Sequence, residues 1–187
     1  IKDLNPKNID IINSINSRTK LKEKIAKIQE LGGVFVFDKI ESESMQYNLS
    51  MVDAIIPEIV SEMLVEFYFG RTSNIKDNLI NIFARGNYFD TDFLTAQVKV
   101  KRLLVSILLG FFAGKKWDGK YVSNGTVVVK NTGEQVGFHI IDLASLEDFL
   151  FENIKFDTPS TTRHRYGSLI LENNGKIYFK LNMQLRF

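Results

Sequence analysis

The hydrophobic pattern changes at Gly114, and this change constrains the fold more than any other feature of the sequence. Upstream, apolar residues recur at helical spacing, as Leu21 and Ile25 do. Downstream, short β-branched and aromatic runs alternate with turn residues. We therefore predict an α+β fold, in which a helical N-terminal portion (1–113) packs on a mainly antiparallel C-terminal sheet with hairpins (114–187). The two portions form either two lobes or one integrated domain.

Capping and stop signals divide the N-terminal portion into segments. Small polar residues open apolar-periodic stretches, and glycines at positions 32, 70 and 86 close three of them. Ser17 is predicted to cap the first helix, and Ser50 to start the next apolar-periodic stretch. Ser73 is predicted to cap a helix over Asn74–Ala84, and Asp90 or Thr91 to open a long helix that extends through Phe112. The β-branched and aromatic run Val34–Ile40 is predicted as a strand.

Two hairpins and a short helix are predicted in the C-terminal portion. Asn131-Thr132-Gly133-Glu134 and Glu172-Asn173-Asn174-Gly175 have the composition of hairpin loops. Ser145 with Asp148 resembles a capping box, which predicts a helix over Leu146–Asn153. The predicted strands are Thr126–Lys130 with Gln135–Ile141, and Ser168–Leu171 with Lys176–Leu181.

Composition excludes several classes of site. Cysteine is absent, which excludes disulfides, Cys-ligated metals and thiol nucleophiles and fits a reducing cytosol. The most apolar stretch, Leu103–Ala113, is shorter than the roughly 20 residues of a membrane-spanning helix, so we predict a buried core helix. No signal peptide is visible. The chain begins with Ile1 rather than Met, and we expect it to be a piece of a longer protein.

Charge is balanced globally but uneven locally. The chain has 24 Lys and Arg against 22 Asp and Glu, a net charge of +2. Basic residues concentrate in 97–120 and in 154–187, which can build a face that neutralises phosphates; the alternative is a set of solvated lysines. The segment Thr158–Gly167 is the densest polar stretch. Its arginines offer planar forks that fit guanine O6 and N7; the alternative is a plain polar surface loop.

A catalytic pair is suggested by spacing alone. Asp118-Gly119-Lys120 fits the Asp-x-Lys element of a metal-dependent nuclease, with Asp90 or Asp92 as the earlier acid. The alternative is a turn in which Trp117 packs on the core. His139 alternates within an expected strand, which favours a structural histidine.

Several segments resemble the HpaII family of type II restriction endonucleases. They are FDTPSTTRHRYG (156–167), IYFKLNMQLRF (177–187) and KKWDGKYVSNGTVVVKNTGE (115–134). The resemblance extends over nearly the whole chain, which would correspond to the C-terminal half of such an enzyme. It implies a bacterial, cytoplasmic enzyme that cuts duplex DNA at a short palindrome, CCGG, using Mg²⁺. It also implies that the catalytic residues and the metal ligands lie outside this chain.

The resemblance assigns roles to the polar segment and to the lysines. Arg163 and Arg165 would read guanines, with His164 at a neighbouring base. The hydroxyl residues that would hold phosphates or shape the loop are Ser160, Thr161 and Thr162. The lysines that would supply the electrostatic part of binding are Lys115, Lys116, Lys120, Lys176 and Lys180. A palindromic target implies a two-fold homodimer. The alternatives are a non-catalytic DNA-binding or protein-interaction module, and a domain without a nucleic-acid role.

Overall fold

The computed structural model describes residues 1–15, 17–70, 72–86, 89–109, 116–117, 125–139, 142–158 and 167–186. The helices are α1 (Ile9–Asn13), α2 (Ser17–Glu30), α3 (Glu43–Val52), α4 (Ile56–Val65), α5 (Ile75–Ala84), α6 (Phe93–Leu108) and α7 (Leu143–Asn153), and a π-helical turn, Glu66–Gly70, follows α4. The strands are β1 (Gly125–Val129), β2 (Gln135–His139), β3 (Lys155–Phe156), β4 (Leu169–Leu171), β5 (Ile177–Phe179) and β6 (Leu185–Arg186). Helices followed by small antiparallel sheets confirm the predicted α+β class.

The described chain divides into two compact units. The first unit consists of residues 1–39, 64–73 and 155–186, and the second contains 40–63 and 74–154. Each unit combines segments from both sides of residue 114. The division predicted at that residue stays a prediction, because Gly114 lies outside the described residues.

In the first unit, the N-terminal helices pack on the hairpin β4–β5. Ile12 and Ile28 are fully buried and share one apolar cluster with Leu169 and Ile177. Burying an isoleucine contributes about 1.5–3 kcal/mol relative to leaving it exposed. The Asn13 amide both donates to the Leu169 carbonyl (3.0 Å) and accepts its N–H (2.8 Å). The end of α1 therefore fixes the hairpin, and helices pack on an antiparallel ribbon as predicted.

In the second unit, α6 packs against α7. Leu104 and Phe151 are buried, and an ion pair joins Lys101 on α6 to Asp148 on α7. Leu103 is also buried, so the described part of the stretch Leu103–Ala113 forms the predicted core helix. Among the described residues, no helix combines the length and the apolar character that crossing a membrane requires.

Both predicted hairpins are confirmed, and the described strand ends differ from the predicted ones by at most two residues; the predicted end at Ile141 lies outside the described residues. β1 pairs with β2 in a register that places Val127 opposite Gly137. β4 pairs with β5, and Ile170 lies opposite Tyr178. A third antiparallel pair, β3 with β6, was not predicted. Its strands have two residues each, too few for alternation of polar and apolar residues to be recognised.

The predicted strand Val34–Ile40 is wrong. Val34 forms an isolated antiparallel bridge with Lys2, and the residues after it have no regular structure. Phe35 packs edge-on against Phe69, with 4.6 Å between the ring centroids. β-branched and aromatic residues favour an extended backbone, but a strand also needs a partner. This segment is held by aromatic packing and one isolated bridge, and it lacks the hydrogen-bonded neighbour that a strand needs.

Several helices begin at other capping residues than predicted. Ser42 precedes α3, Asn74 precedes α5, Asp92 precedes α6 and Asp142 precedes α7, and each side chain accepts a backbone N–H of the first turn. The caps predicted at Ser73, at Asp90 or Thr91 and at Ser145 are therefore wrong, by one to three residues. The start predicted at Ser50 is also wrong, because that helix begins at Ile56 as α4, whereas Ser50 lies within α3, which was not predicted. Small polar residues are frequent before these helices, and many of them are able to cap. The apolar face that must be buried decides which one does.

Candidate nucleic-acid interface

The C-terminal segment of the first unit holds both ends of the polar stretch that begins at Thr158. At one end, the Asp157 N–H donates to the Gln184 carbonyl (2.9 Å). At the other end, the Gly167 N–H donates to the Lys180 carbonyl (2.8 Å). The two acceptors are four residues apart, so they are separated by at most roughly 14 Å. The ends of the stretch are therefore anchored on one short piece of backbone.

The π-helical turn supports the first of these ends. The Phe67 ring stacks on Phe156, with 5.4 Å between the centroids, and the Phe156 N–H donates to the Ser73 carbonyl (2.8 Å). The Tyr68 hydroxyl donates to the Asn182 carbonyl at 2.6 Å, inside the segment that carries both anchors. These contacts fix the strand pair β3–β6 and the backbone next to it.

The second end rests on a buried cation. Gly167 is buried and has φ +68°, a conformation that favours glycine. Its carbonyl accepts a hydrogen bond of 2.5 Å from the ammonium of Lys24 on α2. Lys24 is fully buried, and this burial lowers the pKa of its ammonium. Buried ammonium groups are rare in proteins because removing them from water is costly.

Sequence reasoning missed Lys24, although a signal was present. Lys24 lies three residues after Leu21 and four before Ile28, which places it on the apolar face of α2. A lysine at such a position is usually interpreted as a stem that extends to solvent. In this structure its ammonium stays buried and donates to the Gly167 carbonyl.

Many of the predicted site residues lie outside the described residues. They are Ser160, Thr161, Thr162, Arg163, His164, Arg165, Lys115, Lys120 and Asp118. His139 ends β2, paired with Gly125. The described candidates are Lys116, Lys176 and Lys180. Their positions show which of these three lysines belong to the first unit and which to the second.

Two of the three described lysines belong to the first unit. Lys176 forms an ion pair of 2.9 Å with Asp38, and its ammonium lies 4.9 Å from the centroid of the Tyr178 ring. The hydrogen bond with Asp38 is the main cause that raises the pKa of Lys176. Lys180 is half-buried, and its carbonyl is the anchor of Gly167. Both lysines are thus within the unit that carries the anchored ends.

The third described lysine, Lys116, is exposed and belongs to the second unit. Its ammonium lies 5.6 Å from the centroid of the Tyr47 ring. The next residue, Trp117, is half-buried, and its backbone N–H donates to the Asn48 Oδ1 atom (2.9 Å). This contact involves the backbone only, and the alternative in which Trp117 packs on the core stays a prediction.

Of the two possible earlier acids of the predicted catalytic pair, both are described. Asp92, one of the two possible earlier acids, caps α6 and accepts hydrogen bonds from the Thr95 N–H (2.9 Å) and hydroxyl (2.7 Å). These bonds lower the pKa of Asp92. Asp90 is exposed. Within the described ranges, no three His, Asp or Glu side chains come together as metal ligands would.

Comparison with known proteins identifies relatives along the whole chain. The family model described as HpaII restriction endonuclease matches residues 1–187. The type II restriction enzyme HpaII of Haemophilus parainfluenzae is 35% identical over 198 aligned residues, which cover 100% of this chain and 52% of the relative. The chain thus spans about half the length of that curated relative, in its C-terminal region. No solved structure matches the chain.

Proposed function

Because the chain belongs to the HpaII restriction endonuclease family, we propose that it forms the DNA-recognition part of a type II restriction endonuclease. The target is duplex DNA with a short palindrome, CCGG. The observation that carries this proposal is the anchored polar stretch after Thr158. Its two ends are held on one backbone segment in the first unit, and its sequence is rich in the side chains that bind bases and phosphates.

Within the stretch, the side chains have distinct proposed roles. Arg163 and Arg165 read guanine O6 and N7, and His164 assists at a neighbouring base. The hydroxyls of Ser160, Thr161 and Thr162 contact phosphates. The cations that add a sequence-independent, salt-dependent attraction are Lys115, Lys116, Lys120, Lys176 and Lys180. A palindromic site is matched by a two-fold homodimer, one chain on each half-site.

Hydrolysis is proposed for the longer protein. The family resemblance implies Mg²⁺, which would help to supply the attacking hydroxide and stabilise the leaving oxygen. Among the described residues no cluster of three metal-ligating side chains is found, and no catalytic step is assigned to them. Asp118 and Lys120 remain weaker candidates. The proposed location is the bacterial cytoplasm, where the DNA to be cut is found.

The test is binding of this chain to short duplexes that contain or lack CCGG, at two salt concentrations, with Ca²⁺ as the divalent ion. The proposal expects a preference for CCGG. Arg163→Ala is expected to cost about 1–3 kcal/mol on the specific duplex and much less on the other. Arg85→Ala is the matched control, since Arg85 is exposed and belongs to the second unit.

The outcomes separate the proposal from its rivals. Equal losses on both duplexes would refute base reading by Arg163. Binding that depends on salt but not on CCGG, with no Mg²⁺-dependent cleavage by the longer protein, would favour a non-catalytic DNA-binding module. Absence of DNA binding by both the chain and the longer protein would refute a nucleic-acid role.

A further inference from the structure

Lys24 has a structural position that stability alone does not explain. The side chain is fully buried on α2, and its ammonium donates to the Gly167 carbonyl at 2.5 Å. A neutral donor would satisfy the same carbonyl without removing a charge from water. Burial lowers the pKa of this ammonium, which agrees with an unfavourable environment for the charge. Apolar replacements of buried charged groups are often neutral or stabilising.

The contact fixes a residue that otherwise has unusual freedom. Glycine samples both signs of φ at little cost, and Gly167 has φ +68°. Its N–H belongs to the peptide plane before it and is held by the Lys180 carbonyl (2.8 Å). Its carbonyl belongs to the plane after it and is held by Lys24. Because φ and ψ of Gly167 set the angle between these two planes, the two bonds together constrain the turn that the backbone makes at this residue.

We infer that Lys24 is a positioning residue for DNA recognition, acting through Gly167 on the segment that ends there. This inference rests on the proposed function, in which Arg163 and Arg165, four and two residues before Gly167, read bases. Bidentate contacts tolerate errors of only about 0.5 Å. Loss of the Lys24 hydrogen bond removes one of the constraints on Gly167, so we expect the recognition side chains to be held less precisely than this tolerance requires. Lys24 touches no base or phosphate in this scheme, and its effect is on specificity.

The test compares Lys24→Met and Lys24→Gln with the unchanged chain. Methionine keeps the length and the apolar stem and removes the donor, and glutamine keeps a neutral donor. Lys27→Met is the matched control, because Lys27 lies on the same helix, carries the same charge and pairs with Glu30 at 2.7 Å. For each protein, the dissociation constants for CCGG and scrambled duplexes are measured, together with the thermal unfolding midpoint.

We expect Lys24→Met to lower the ratio of specific to non-specific affinity at least about fivefold, which is the lower end of the range for the loss of one base contact. Lys24→Gln is expected to recover part of the ratio, and Lys27→Met to leave it unchanged. A purely structural role would instead lower the unfolding midpoint and reduce both affinities equally, which would overturn the inference. An unchanged ratio in Lys24→Met would also overturn it. A lack of preference for CCGG in the unchanged chain would refute the proposed function itself, and this inference with it. If Lys24→Met does not fold, Lys24→Gln decides by the same ratio.

Discussion

Tyr68→Phe tests the support beneath the anchored ends. Tyr68 is 4% exposed, and its hydroxyl donates to the Asn182 carbonyl at 2.6 Å. Phenylalanine keeps the ring and its packing beside Phe67, so the change removes little besides the hydroxyl. The Asn182 carbonyl then loses a donor at a partly buried place.

The magnitude follows from that lost bond. A buried acceptor left without its partner costs about 1–3 kcal/mol. Asn182 is half-buried, so water replaces part of the bond, and we expect a loss of about 1–2 kcal/mol in the free energy of unfolding. For a chain of this size, each kcal/mol corresponds to a fall of about 2–4 °C in Tm. Urea unfolding and thermal melts measure both quantities.

Tyr47→Phe is the matched control for this experiment. Tyr47 is exposed on α3, so loss of its hydroxyl is expected to change the free energy of unfolding by less than about 0.5 kcal/mol. If Tyr68→Phe were as stable as the unchanged chain, the hydroxyl would contribute nothing to holding the segment 180–184. The argument that this segment is a rigid base would then be refuted.

Two further predictions concern other parts of the chain. Asp53 accepts a hydrogen bond from Lys99 (2.8 Å), which is the main cause that lowers its pKa below the usual 3.8. A carboxylate with a lowered pKa stabilises the fold above its usual pKa and loses that effect as pH falls through the lowered value. Asp53→Asn should therefore cost about 0.5–1.5 kcal/mol at pH 7 and progressively less below pH 3.8 in urea titrations; a cost that is independent of pH would contradict this. Gly70→Ala would place a Cβ in steric conflict with the carboxylate of Glu66, which is buried and cannot move away freely, so we expect a loss of about 1–3 kcal/mol by thermal unfolding. Gly137→Ala, where nothing lies within 4 Å of the added Cβ, is the control, and equal losses in both would refute the steric argument.

The sequence predicted those elements whose signals are local. The loop Glu172–Gly175 and its flanking strands follow from turn residues beside alternating side chains, and Gly175 has a positive φ of +78°, as glycines in such loops often do. The helix over Leu103 and Leu104 follows from apolar spacing. In these cases each residue's own preference agrees with its place in the fold.

The sequence did not predict features that depend on distant partners. Val34 forms only an isolated bridge, and no nearby residue in the sequence indicates that the segment after it has no partner strand. β3 exists because Phe156 meets Leu185, 29 residues later. Lys24 is buried because Gly167, 143 residues away, offers a carbonyl. Contacts of this kind are decided by tertiary packing, which a single sequence does not display.

The composition of the first unit has a consequence for the order of folding. Ile28 packs in one cluster with Ile177, which is synthesised 149 residues later. At a synthesis rate of about 5–20 residues per second, roughly 7 to 30 seconds pass between them. During this interval the apolar face of α2 is exposed to chaperones and lacks the hairpin that covers it. On the proposed function, a growing chain is therefore unable to recognise DNA until its last described segment, residues 155–186, has been made.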